Sequence, residues 1–103
     1  MNTEEQDVVV FVTYPATDGA RDFVDESLIE FFDAHPIGEV SGGGTYFSPD
    51  EEPVSCTDVD LFPPTKAAYF QLVQKLRDMK MPPETVLSSE FGRVALYDIE
   101  IPQ

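Results

Sequence analysis

The chain has 103 residues, 42% of them hydrophobic, including eight Phe and four Tyr. That supplies one packed core and is too short for two, so a single domain over 1–103 is expected. Twenty acidic residues against six basic ones give a formal charge of −14. This excludes a nucleic-acid binder built on a cationic footprint and disfavours an anionic membrane surface.

Met1 to Asp7 is acidic where a secretory signal would be basic, and the apolar run from Val8 to Val12 is too short for a signal core or a membrane span. With the lone cysteine, Cys56, this makes a cytoplasmic protein the expectation.

Val8 to Tyr14, β-branched and aromatic and ended by Pro15, reads as a central strand because both alternation parities are apolar. A helix should follow, capped by Thr17 or Asp18, with a core stripe of Ala20, Phe23, Val24, Leu28, Phe31 and Phe32. His35-Pro36 stops it. Gly38 to Phe47 and Val54 to Phe62 read as two strands, with a turn over Ser48–Pro53, and Asp58 and Asp60 face away from Val59 and Leu61. A second helix starts at Pro64 and buries Ala68, Tyr69, Leu72, Val73, Leu76 and Met79. The tail holds Thr85 to Ser88, a turn at Ser89 to Gly92, and Arg93 to Ile99, as one or two closing strands. The order β-α-β-β-α-β predicts an α+β fold: a ferredoxin-like two-layer sandwich, with an extra C-terminal strand left open.

In such a sandwich the helices cover one sheet face. The first strand is apolar on both, with Val8, Val10 and Val12 opposite Val9 and Phe11; Val94 and Leu96 similarly oppose Ala95 and Tyr97. The uncovered face should meet a protein partner or a second copy, or else the chain's own loops or tail. Polar substitution of Val10 or Leu96 is expected to change the oligomeric mass.

Gly42-Gly43-Gly44-Thr45 lacks the lysine and following helix of a phosphate loop. Glycines within a strand mark a bulge, a bend, or close approach of another backbone or partner. Gly38 to Thr45, Asp58-Val59-Asp60-Leu61 and Pro82 to Leu87 resemble small uncharacterised bacterial proteins that carry a Gly-Glu-Val-x-Gly-Gly-Gly-Thr strand. The resemblance implies the ferredoxin-like fold and no activity.

His35, the only histidine, suits the helix C-terminus and supplies neither a triad nor a multi-ligand site. Cys56 reads as a buried small hydrophobe in acidic surroundings, unsuited to a nucleophile. Asp50, Glu51, Glu52, Asp58 and Asp60 match no EF-hand spacing and read as a solvated loop and strand face. No cofactor, metal or catalytic residue is expected.

The first helix carries Asp22, Glu26, Glu30 and Asp33 along its outer side. Asp22/Glu26 and Glu26/Glu30 are like-charge pairs at i,i+4, each unfavourable by about 0.2–0.5 kcal/mol, so stability alone would not choose them. They point to a cationic partner, or to general acidity for solubility. Lys66, Lys75, Arg77 and Lys80 gather four of the six basic residues at the second helix, which would permit head-to-tail pairing or be a solvated face. The expected function is a non-catalytic, acidic protein-interaction domain, an immunity or inhibitor type that binds a basic partner. Asp22, Glu26, Glu30, Asp33 and Gly42 to Gly44 are the candidate contact residues. The alternative is a small homo-oligomer with a structural or ligand-binding role.

Overall fold

A computed structural model describes residues 8–62 and 65–101. Its elements are β1 (Val8–Pro15), α1 (Ala20–Ala34), β2 (Gly38–Ser48), β3 (Glu51–Leu61), α2 (Lys66–Asp78), β4 (Val86–Ser89) and β5 (Gly92–Ala95), followed by a 3-10 turn at Leu96–Asp98. They form an α+β architecture: one antiparallel five-stranded sheet, ordered β2-β3-β1-β4-β5, with two helices. No helix among the described residues is long and apolar enough to cross a membrane.

Residues opposite one another in an antiparallel ladder share a face. Val8, Val10, Val12 and Tyr14 therefore point with Leu61, Val59, Thr57 and Ser55. All eight are buried, in line with Val24, Leu28 and Phe32 of α1 and Ala68, Tyr69, Leu72, Val73 and Leu76 of α2. Both helices pack on this one side, because each presents an apolar stripe at helical spacing. The other side carries Val9, Phe11, Thr13 and Pro15 with Asp60, Asp58, Cys56 and Val54. Val9, Phe11 and Val54 are exposed there, and none of the described loops buries them.

Val10 and Leu96 do not mark the free face. Both are fully buried in the helix-covered core, since apolar alternation states that a strand has two greasy sides without stating which one the helices take. Phe23, expected in the core, is exposed. The α1 cap also shifts by one or two residues: Gly19, at φ +77°, is the N-cap, with no side-chain cap bond, and Thr17 contributes only its carbonyl to Ala20 N–H at 3.0 Å. Helix α2 instead has a working cap, Thr65 Oγ1 accepting from Ala68 N–H at 3.2 Å. Pro64, expected in its first turn, lies outside the described residues.

The β2–β3 connection is tighter than expected, a turn at Pro49-Asp50 rather than Ser48–Pro53. Pro53 fits within β3 because a register shift between Tyr46 and Ser48 interrupts the ladder beside it. The tail makes two strands, β4 and β5, joined by a turn at Glu90-Phe91. The second ends at Ala95 instead of Ile99. Arg77 of α2 holds the following 3-10 turn by donating to the Leu96 carbonyl (3.3 and 3.0 Å) and to the Ile99 carbonyl.

Candidate interaction surfaces

Asp22, Glu26, Glu30 and Asp33 all lie exposed on α1, on the side away from the sheet. Among the described residues Arg21–Asp25 is the one ion pair, at 3.7 Å, and none of the four carboxylates takes part in it. On the two flanks of this acidic stripe stand Phe23 and Ile29, both exposed. Sequence reasoning assigned Phe23 to the core and left Ile29 unremarked. Their signal was available in the helical spacing: positions 23 and 29 flank the acidic arc on its two sides, outside the narrower stripe of Val24, Leu28 and Phe32.

A polar strut anchors α1 to the sheet beneath this face. Thr57 Oγ1 donates to Asp25 Oδ1 at 2.8 Å, so the Tyr14 hydroxyl, 2.7 Å away, must donate to Thr57. Burial chiefly raises the Tyr14 pKa, opposed by the Thr57 bond. The strut orients α1 and leaves no hydroxyl of this set free for chemistry.

The open sheet face is the second surface. Phe11 is 43% exposed and Tyr46 58% exposed. They share this face with Val9 and Val54, and Val54 also lines a groove of about 440 Å³ with Thr13, Pro15, Val86, Glu84 and Arg93. Asp58 and Asp60 border the apolar part. The open face lies across the sheet from α1, but the first turn of α1 approaches the glycine run: Asp22 lines a cleft with Arg21, Thr45 and Ser55, and Arg21 lies beside Gly43.

No family model, curated protein or solved structure matches this chain. The surfaces themselves therefore carry the functional reading.

The three glycines of the run are not equivalent. Gly43 has φ +154°, and a Cβ there would meet the Cys56 carbonyl oxygen at 2.3 Å. It sits just past a register shift between Val40 and Gly42, so its glycine is structural. Gly42 and Gly44 have room for a Cβ, the nearest atoms being Asp58 Oδ2 at 3.6 Å and the Tyr46 hydroxyl at 4.0 Å. Gly38, which sequence reasoning passed over, is as constrained as Gly43: its Cβ would lie 2.4 Å from the Asp60 carbonyl oxygen.

Cys56 is buried, and its thiol donates to Asp58 Oδ1 at 3.2 Å. Burial first, then the Asp58 bond and charge, push its pKa up to about 12, so it is a thiol rather than a thiolate near neutrality. His35 follows α1 as its C-cap, stacks on Phe31 at 4.6 Å between ring centroids, and its Nδ1 lies 3.2 Å from the Phe31 carbonyl. Among the described residues no three His, Cys, Asp or Glu side chains gather as metal ligands would. The basic group at α2 is partly engaged internally: Arg77 holds the 3-10 turn, and the Lys75 ammonium lies 5.9 Å from the Phe31 ring centroid. That leaves less free positive charge for head-to-tail pairing.

Proposed function

We propose that this chain is a non-catalytic, acidic protein-interaction domain that binds a basic protein partner. The observation that carries the reading is the outer face of α1, where exposed Asp22, Glu26, Glu30 and Asp33, in no ion pair among the described residues, form one acidic stripe flanked by exposed Phe23 and Ile29. A charged stripe flanked by apolar side chains offers a protein partner both attraction and contact area, and the carboxylates would steer a cationic partner and speed its docking. The like-charge spacing weakens the helix, which favours a binding role for the charge. An immunity or inhibitor type is the specific form of this reading. We take the fold to be ferredoxin-like with an added edge strand: without β5 the order β2-β3-β1-β4 is that of a split βαβ pair. The Gly38–Thr45 resemblance supports the same reading of the fold, and the lone thiol supports a cytoplasmic setting.

The test uses the intact chain as bait, followed by kinetics with the purified captured partner. A basic partner whose association slows steeply with salt, and slows several-fold with Glu26→Gln plus Glu30→Gln, is expected. Salt-insensitive association unaffected by that double variant overturns the reading.

Exposed Val9, Phe11, Val54 and Tyr46 favour a second reading, a homo-oligomer through the open sheet face. Light scattering then gives a mass above the monomer, returned to monomer by Phe11→Asp.

A further inference from the structure

We propose that the outer edge of β2, from Gly42 to Tyr46, accepts an extended cationic segment of a partner as an added strand. The proposal rests on the acidic-interaction reading and gives it a recognition mode. Among the described residues β2 pairs only with β3, so half of its backbone N–H and C=O groups face away from the sheet. Proteins usually blunt such an edge with lysine, proline, bulges or brevity. β2 runs for 11 residues and contains neither lysine nor proline. Its irregularities fall at Val40/Gly42 and Tyr46/Ser48, so Gly42 to Tyr46 stay in regular register with Asp58 to Val54. That leaves a stretch in continuous register, with Gly43 its one residue at positive φ, long enough for strand addition.

The side chains around this stretch select the occupant. Gly42 and Gly44 lie on the open face, opposite Asp58 and Cys56, and packing does not require either to be glycine. A neighbouring strand could therefore lay a side chain across their bare backbone and reach β3. There it meets Asp58, whose Oδ1 accepts from Cys56 and whose Oδ2 lies toward Gly42. Asp60, accepting from Ser41 Oγ at 3.3 Å, and exposed Glu39 stand beside it. None of the three has an ion-pair partner among the described residues. Successive side chains on one face of an added strand repeat every second residue. A Lys or Arg over Gly42 thus reaches Asp58, the next same-face residue lies over Gly44 near the Tyr46 hydroxyl, and the one after it meets the Tyr46 ring, a favourable seat for an apolar or cationic group.

A second copy is the poorer occupant. Pairing β2 with β2 would bring Glu39, Asp58 and Asp60 of two strongly acidic chains to one junction without supplying a cation to any of them.

The probe is a capped seven-residue peptide, Lys-Thr-Lys-Val-Lys-Thr-Lys, titrated into the full chain by heteronuclear NMR at low and physiological salt. Saturable shifts and slowed amide exchange confined to Gly42–Tyr46 and their β3 partners are expected. Replacing the central Val by Pro should abolish binding, because the added strand loses a ladder bond. Asp58→Asn should weaken it about tenfold, the loss of one charge-assisted contact, with Glu26→Gln nearly silent. Equal binding of the Pro peptide, or of the native peptide to Asp58→Asn, overturns the edge proposal. So does protection of β2 by a dimer. Shifts on α1 instead overturn the edge site while leaving the acidic-interaction reading intact. No binding anywhere removes the edge site, and the captured-partner kinetics then decide the broader reading separately.

Discussion

The two sides of β1 use nearly the same residues to opposite ends. Val8, Val10 and Val12 lie under the helices at no more than 3% exposure, whereas Val9 is 36% and Phe11 43% exposed one residue along. Intrinsic hydrophobicity does not distinguish them. What differs is supply: two amphipathic helices provide apolar stripes for one face only. The open face keeps surplus apolar surface, and carboxylates border it rather than cover it. A core position here is thus defined by its partners, and an interface position by their absence.

Aspartate scanning tests that contrast most directly. Val10→Asp buries an unpaired charge between the helices and should cost about 4 kcal/mol or more, enough to prevent cooperative folding. Phe11→Asp, on the neighbouring position, should change stability by only about 0.5–1 kcal/mol, read from urea midpoints. Comparable losses at both sites would mean that the outer face is covered as fully as the inner one.

Two milder pairs sharpen the comparison. Gly43→Ala pushes a methyl group into the Cys56 carbonyl and should cost about 3 kcal/mol. Gly42→Ala and Gly44→Ala, with open space and ordinary φ, should be neutral or stabilise by about 0.4–1 kcal/mol through the unfolded chain. Thr57→Val strands the Tyr14 hydroxyl and Asp25 on the covered side and should cost about 1–3 kcal/mol by thermal melting. A harmless Thr57→Val would place the Tyr14 and Asp25 groups in water, against the burial of the strut.

These residues also mark how far the sequence was legible. Element types and most core positions could be read because Val59/Leu61 against Asp58/Asp60, and the α2 stripe, carry their period openly. The α1 acidic positions were legible for the same reason, being exposed at helical spacing. The sidedness of β1 was not, since both parities are apolar and only packing breaks the tie. Nor were the differing roles of Gly42, Gly43 and Gly44, which depend on a bulge set by pairing with β3. Thr57 and Asp25 are 32 positions apart, so their bond has no local signature. The 3-10 turn in place of a longer final strand follows from Arg77 capturing carbonyls 19 and 22 residues away.

Cys56 offers the smallest effect and the finest test, because register places it on the open face while its burial is that of the covered one. Its thiol titrates at about 12 in the folded chain against an ordinary value of 9.0. Between those values the folded state keeps a proton that the unfolded state releases, so the associated stability is whole below pH 9 and fades as pH rises toward 12. Cys56→Ala should leave neutral-pH stability within about 1 kcal/mol of the parent or slightly lower, yet flatten the alkaline decline that begins near pH 9. A decline above pH 10 should remain in the variant, since burial also raises Tyr14 and Tyr69 above 10.0. Thiol-reagent kinetics at pH 8 give the independent check: modification of the native chain should be far slower than of the urea-unfolded chain. Equal rates would mean that the acidic border around Asp58 leaves the backbone of β3 open, and the contrast between the two faces would then extend to every position of that strand.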